Sequence, residues 1–200
     1  MKIGPKYKIA RRLGASVFEK TQTPKFADNA QKRTKRVSRP RSNFGIQLLE
    51  KQKARYTYGI SNKQLTKYVQ ETLEKKVLNP SQTLFQTLES RIDNVVLRSG
   101  LAPTRLAARQ MVSHGHVTHN GTRVTVPSIK VKEGDVVAVR QGSSEKPLFL
   151  DFEERIKDSI IPNWLKLDSK NKSVVVKGQP TLEARDSSIN FELVVQFYKR

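Results

Sequence analysis

The positive charge of this chain is concentrated at its amino-terminal end, and that distribution limits what the first quarter can fold into. Residues 1–55 hold sixteen lysines and arginines against three acids, a net charge of +13, whereas residues 56–200 hold twenty-two against fifteen, a net of +7. Six of the positive charges fall within the eleven residues 31–41. Such a segment buries too little apolar surface to offset the entropy of ordering it. We predict an extended basic arm over residues 1–41 that orders on a phosphate backbone; a solvated tail or a localisation signal is the alternative.

The remaining composition excludes several classes of protein. The 200 residues carry a formal net charge of +20, and 36% are hydrophobic, which suits one or two small domains and a polyanionic partner. Cysteine is absent, so neither disulfides nor thiolate zinc sites are expected. No apolar run is long enough to cross a membrane, and the first residues lack the apolar core of a secretory signal. We therefore expect a cytoplasmic protein with no membrane partner.

Helix-capping residues predict a small helical domain over residues 42–87. Ser42 is placed to cap a helix from about residue 43 to 56, and Ser61 with Gln64 forms a capping box before a second helix. Apolar residues in that second helix recur at spacings of three and four, which predicts one buried face.

The following segment predicts helices and then short strands. Apolar spacing favours one continuous helix over residues 81–99 and a short helix capped by Thr104, in which Leu106 faces inward. Asn120-Gly121 predicts a type I′ hairpin, and alternation at residues 129–132 predicts another strand. Further strands and one acidic helix are expected between residues 136 and 176. The predicted fold class is α+β: a small helical domain plus two short helices packed on a small antiparallel sheet.

Two long stretches resemble a known family. Pro40–Tyr56 and Leu88–Val124 are similar to the bacterial-type small-subunit ribosomal protein S-four family, and the second stretch resembles the RNA-binding module named after it. The similarity covers nearly the whole chain in the same order. It implies an α+β domain over residues 88–185, with the RNA-binding module at 88–150. It also implies that residues 186–200 return to the helical domain as a helix, where the residues alone leave strand and helix open.

The resemblance further implies a function. Members of the family bind the five-prime domain of 16S-type ribosomal RNA at a multi-helix junction and nucleate assembly of the small subunit. They lie near the messenger-RNA entry, beside the neighbouring ribosomal protein S-five, and contribute to translational accuracy. Some also bind their own messenger RNA. Many relatives hold zinc through cysteines in the arm, and for this cysteine-free chain we expect no metal and no cofactor.

Other classes fit the residues less well. No glycine-rich phosphate loop, metal-ligand spacing or nucleophile–base pair indicates an enzyme. The helix pair before Gly115 resembles a helix-turn-helix only superficially, because base-reading side chains beside Arg105 and Arg109 are few, so DNA is not expected as a partner. A free RNA-binding translational regulator with the same module is the alternative function.

Arginine and lysine suit phosphate oxygens, and short neutral side chains suit the other groups that a folded RNA offers. His114 and His116 lie close to His119, but no carboxylate occurs between Arg98 and Glu133, so RNA contact or a solvated loop is favoured over zinc. The residues predicted to contact RNA are Arg11, Arg12, Lys32, Arg33, Arg36, Arg39, Arg41, Lys51, Lys53, Arg55, Arg91, Asn94, Arg98, Thr104, Arg105, Arg109, Ser113, His114, His116, Asn120 and Arg123.

Overall fold

The structure, a computed structural model, describes residues 3–24, 26, 42–149, 151–158, 160–182 and 188–199. The chain divides into two compact units, the first formed by Met1–Leu84 with Leu182–Arg200 and the second by Phe85–Thr181. The boundary between Leu84 and Phe85 lies three residues before the domain boundary that the sequence predicts after residue 87. The strongly basic segment 27–41 of the predicted arm lies outside the described residues.

The described segments contain helices and short strands, which confirms the predicted α+β class. Helices α1 to α8 are Lys6–Leu13, Asn43–Thr57, Asn62–Glu74, Pro80–Glu89, Ile92–Arg98, Arg105–Ser113, Phe152–Asp158 and Phe191–Tyr198. Strands β1 to β5 are Val117–His119, Thr122–Val124, Val136–Val139, Leu165–Asp168 and Ser173–Val176. None of the helices in the described ranges is long and apolar enough to span a bilayer.

The beginning of the chain is folded, so the prediction of an extended arm is wrong for that part. Ala10 of α1 is buried, and Phe18 beyond the helix lies edge-on to Tyr56 of α2, with 6.2 Å between the ring centroids. Arg11 and Arg12 occupy the last turn of α1, where cations interact favourably with the helix dipole. The sequence did not predict this helix, because its apolar residues are few and alternate with lysines and arginines.

Serine caps begin α2 and α3 as predicted. The Ser42 hydroxyl accepts a hydrogen bond from the Gly45 N–H, and the Ser61 hydroxyl accepts one from the Gln64 N–H, both at 3.2 Å. Each cap gives a partner to an amide that the helix itself leaves unpaired.

The carboxyl-terminal segment is the helix that the resemblance implies. The Asn190 side chain caps α8 by accepting from the Leu193 N–H at 3.1 Å, and the Asn190 N–H donates to Glu50 of α2 at 2.8 Å. The ring centroids of Tyr58 and Phe191 are 6.4 Å apart. These contacts place α8 against α2 within the first unit.

The single helix predicted through α4 and α5 is wrong, because the chain turns at Ser90 and is extended at Arg91. Arg91 forms an isolated antiparallel bridge with Lys130, and the Val131 N–H donates to the Ser90 carbonyl at 2.8 Å. The strand predicted at residues 129–132 is therefore wrong as well, since this segment pairs with the helix break and not with the sheet.

The second unit contains a five-stranded antiparallel sheet with the order β2-β1-β3-β5-β4. Val117 of β1 pairs with Val124 of β2 on one side and with Val139 of β3 on the other. The predicted hairpin is confirmed, with φ of 50° at Asn120 and 79° at Gly121. The core between the helices and the sheet includes Ile92, Val95, Met111, Val112, Val117, Val137, Phe149, Phe152 and Val174.

The buried face of α6 differs from the prediction. Leu106 is 40% exposed, whereas Ala108, Met111 and Val112 are buried. Residues 108, 111 and 112 lie three and four positions apart and share one stripe, while residue 106 lies about 200° around the helix from residue 108. The inward position assigned to Leu106 is therefore wrong.

Candidate nucleic-acid interface

Four basic side chains of the second unit lie near enough to His116 for their charges to act on it. We name this group, together with His116, the cationic cluster; its members are His114, His116, Arg123, Arg140 and Lys146. They come from the end of α6, the chain leading into β1, strand β2, the end of β3 and the loop after it. Pairing of β1 with β2 and β3 creates the juxtaposition, and the Arg140 N–H donates to the His116 carbonyl at 2.8 Å.

The charges that act on His116 are positive. Burial lowers the pKa of His116, and the charges of Lys146, His114, Arg140 and Arg123 lower it further. The ring therefore favours its neutral form, and its Nδ1 lies 3.0 Å from the buried Ser143 hydroxyl. A group of like charges at this spacing repels itself, and a polyanion that lies across it removes the repulsion.

A glycine sets the position of Arg123 in the cluster. Gly115 has φ of 70°, a left-handed conformation that suits glycine, and it turns the chain between α6 and β1. A Cβ at this position would overlap the Arg123 guanidinium, so the side chain lies directly over the glycine backbone. Arg123 also donates to the His114 carbonyl at 3.4 Å. The close approach holds an exposed guanidinium beside the histidines.

Three predicted RNA contacts instead surround a buried carboxylate, that of Glu89 at 1% exposure. Arg98 donates to its two oxygens at 2.8 and 2.9 Å, and the Asn94 amide donates to one of them at 2.7 Å. Arg105 donates to the Asn94 side-chain oxygen at 3.2 Å. Asn94 is 2% exposed, so the prediction that it contacts RNA is wrong. Contacts from Arg98 and Arg105, which retain some exposure, stay predictions.

Arg91 is also misassigned by the sequence reasoning. Its side chain is 1% exposed and forms a two-point ion pair with Asp93, at 3.0 and 2.6 Å. A guanidinium enclosed in this way does not reach an RNA phosphate. The prediction that Arg91 contacts RNA is wrong, because Arg91 occupies the break between α4 and α5.

Two predicted neutral contacts have local roles. The Thr104 hydroxyl caps α6 by accepting from the Ala107 N–H at 3.1 Å. The Asn120 amide donates to Asp135 at 2.9 Å, and its oxygen accepts from the Val136 N–H at 2.8 Å. RNA contacts from Thr104 and Asn120 stay predictions. The same holds for the exposed Ser113 and the half-buried Arg109.

The basic residues of α2 pack within the first unit. The Lys51 ammonium lies 4.5 Å from the Phe197 ring centroid, and burial together with the Arg55 charge lowers the pKa of Lys51. Lys53 is 3.6 Å from Glu50, and its ammonium donates to the Ser188 carbonyl. These contacts stabilise α2 against its neighbours, and RNA binding by the three basic residues stays a prediction.

The other basic residues assigned to the arm divide into two groups. Arg11 and Arg12 are exposed on α1 and form no ion pair with a described residue. The remaining predicted residues lie outside the described part of the chain: Lys32, Arg33, Arg36, Arg39 and Arg41.

Sequence reasoning missed Arg140 and Lys146. Each is an isolated cation in the sequence, at a strand end and in a loop, with no motif around it. The pairing of β1 with β3 places Arg140 beside His116, and the loop after β3 brings Lys146 near. The one signal available in the sequence was antiparallel pairing of the predicted hairpin with the next strand, which would have placed Arg140 opposite His116.

The three histidines do not form a metal site. The His119 ring nitrogen lies 2.8 Å from an oxygen of Asp135, which directly precedes β3. The His116 ring instead contacts Ser143. Within the ranges that the structure describes, no group of three or more His, Asp or Glu side chains could hold a metal ion.

Family models match both parts of the chain. The S4 domain matches residues 90–137, which contain α5, α6, the hairpin and the start of β3. The Ribosomal protein S4/S9 N-terminal domain matches residues 1–89. The two matches define the class as a ribosomal protein with a helical amino-terminal part and an S4 RNA-binding domain.

Similarity to individual proteins extends over the full length. The chain is 39% identical to the small ribosomal subunit protein uS4 of Delftia acidovorans over 204 residues, covering 99% of this chain and 98% of that protein. It is 39% identical to uS4 of Roseiflexus castenholzii, with coverage of 99% and 98%, and to uS4 of Persephonella marina, with coverage of 98% and 97%. The chain belongs to the ribosomal protein S4 family, as the resemblance indicated. The family is structural, and the chain is not an enzyme.

Proposed function

We propose that this protein is a structural constituent of the small ribosomal subunit that binds 16S-type ribosomal RNA through the cationic cluster. The observation that carries the proposal is the convergence of Arg123, Arg140, Lys146 and two histidines within the second unit. The protein acts in the cytoplasm as part of the ribosome, in keeping with the names of its full-length relatives.

The chemistry of RNA explains why such a cluster suits it. An RNA helix presents phosphates and 2′-hydroxyls, because its major groove is too narrow and deep for side chains to read the bases. Guanidinium groups donate to phosphate in a forked geometry, and a neutral imidazole offers both a donor and an acceptor. Two arginines, a lysine and a neutral His116 therefore fit a phosphate backbone that folds across the end of the sheet.

The more specific role rests on similarity along the whole chain. The protein binds the junction in the five-prime domain, nucleates subunit assembly, and contributes to the messenger-RNA entry site and to accuracy next to the S-five protein. Arg11, Arg12 and the basic segment 27–41 add sequence-independent affinity, because lysine and arginine displace counterions from the RNA.

The test measures binding of the full chain to a transcript of the five-prime domain and to a scrambled RNA of equal length, over a series of salt concentrations. The triple variant Arg123→Ala, Arg140→Ala and Lys146→Ala removes three charges from the cationic cluster. We expect weaker binding and a slope of log K against log salt that is shallower by up to about 2 to 3, since each lost phosphate contact contributes roughly 0.7–0.9.

The matched control removes three exposed lysines of the same unit away from the cluster: Lys132→Ala, Lys166→Ala and Lys177→Ala. If both triple variants lose the same affinity, net charge alone drives binding and the cationic cluster is not the interface. If the unmodified chain binds both RNAs equally, the junction role fails and a free RNA-binding regulator becomes the better account.

A further inference from the structure

The hairpin between β1 and β2 contains the only Asn-Gly pair of the chain, Asn120-Gly121. In such a pair the glycine amide nitrogen attacks the asparagine side-chain carbonyl carbon, and the missing Cβ of glycine leaves the approach open. The new N–C bond closes a succinimide ring as the side-chain nitrogen leaves as ammonia. Water then opens the ring to aspartate or isoaspartate. An Asn-Gly turn is therefore a candidate site of spontaneous deamidation.

Three hydrogen bonds hold Asn120 to the chain just before and at the start of β3. Its side-chain nitrogen donates to Asp135 at 2.9 Å, its side-chain oxygen accepts from the Val136 N–H at 2.8 Å, and its own N–H donates to the Val136 carbonyl at 2.8 Å. We name this arrangement the turn clamp. Both ends of the side-chain amide are engaged, so rotation of its carbon toward the Gly121 nitrogen first breaks two of these bonds.

Asp135, which accepts from the Asn120 side chain, is itself held by further hydrogen bonds. The Asp135 carboxylate also accepts from the Lys132 N–H at 2.7 Å and lies 2.8 Å from the His119 ring nitrogen. Burial opposes its ionisation, but the hydrogen bonds from Asn120, Lys132 and His119 outweigh that effect and lower the pKa of Asp135 to about 2. An acid this strong is ionised at neutral pH, so it neither protonates the departing nitrogen nor takes a proton from the glycine amide effectively.

We propose that Asn120 is a deamidation site that the turn clamp keeps unreactive in the folded protein. Opening of the hairpin or loss of Asp135 exposes the site to succinimide formation. The product carboxylate at position 120 lies beside the Asp135 carboxylate, and like charges repel. The damaged turn then no longer closes, and the strand that carries Arg123 loses its support.

The experiment follows deamidation of the full chain at mildly alkaline pH and physiological temperature. Peptide mass mapping measures the one-dalton gain at Asn120, and an isoaspartate assay confirms the product. The unmodified chain is incubated folded and, in parallel, unfolded in concentrated urea. We expect the folded chain to react at least about tenfold more slowly, a factor equivalent to about 1.4 kcal/mol.

Two variants separate the turn clamp from general folding. Asp135→Ala removes the acceptor, and we expect deamidation about tenfold faster than in the unmodified folded chain, the effect of losing a hydrogen bond to a charged group. Glu133→Ala removes an exposed acid two residues before Asp135 and should leave the deamidation rate unchanged. Equal rates in a folded Asp135→Ala variant and in Glu133→Ala would overturn the proposal. If Asp135→Ala does not fold, equal rates for the unmodified chain in buffer and in urea would overturn it.

Discussion

Removal of the Glu89 carboxylate should destabilise the second unit far more than removal of an exposed acid. This carboxylate is 1% exposed and accepts hydrogen bonds from Arg98 at 2.8 and 2.9 Å and from Asn94 at 2.7 Å. Breaking a buried ion pair by deleting one partner costs about 3–5 kcal/mol. The Arg98 side chain is 29% exposed and regains some water, so we expect Glu89→Ala to lower the free energy of unfolding by about 3 kcal/mol.

The assay uses Trp164, the only tryptophan of the chain, which packs against the core of the second unit. Its fluorescence during a urea titration of the full chain reports unfolding of the unit that contains Glu89. Glu133→Ala serves as the control, because this exposed acid should change the stability by less than about 0.5 kcal/mol. Coincident urea midpoints for the two variants, with equal slopes, would refute the argument that the buried carboxylate holds the helices together.

Three further outcomes are expected. The hydrogen bonds that lower the pKa of Asp135 to about 2 contribute stability that is full above the usual pKa of 3.8 and is lost as the pH falls toward 2. Asp135→Asn should therefore flatten the plot of urea midpoint against pH in this acidic range. An unchanged plot would count against the turn clamp. Gly115→Ala places a side chain at φ of 70° over Arg123 and should cost about 1–2 kcal/mol and weaken RNA binding, whereas Gly142→Ala should melt like the unmodified chain. Ser61→Ala removes a helix cap and should cost about 1 kcal/mol in a circular-dichroism melt, and an unshifted melt would contradict that role.

Local chemistry was enough to predict several elements correctly. The serines before α2 and α3 accept from amides three residues ahead, and this requirement acts within one turn of a helix. Asn120-Gly121 adopts the positive φ values that a tight hairpin demands. In each case the residues that determine the conformation are adjacent in sequence.

Predictions failed where distant residues decide the outcome. Arg91 follows a helical pattern, yet a bridge to Lys130 pulls the chain out of the helix and encloses the guanidinium with Asp93. Leu106 is apolar, but the helix it belongs to buries another face. The sequence predicts RNA contact for Arg91 and Arg98 alike, because it does not show which arginine has a carboxylate within reach in the folded chain.

The sequence alone determined the class of this protein: its charge excess, the absence of cysteine, the helix caps and the hairpin follow from composition and from neighbours along the chain. The membership of the cationic cluster was decided only by the tertiary structure. Strand register brings His116, Arg123 and Arg140 together. The hydrogen bond to Glu89 keeps the Asn94 side chain buried. The physical reason is that burial and electrostatic proximity depend on distances through space, which pairing and packing set.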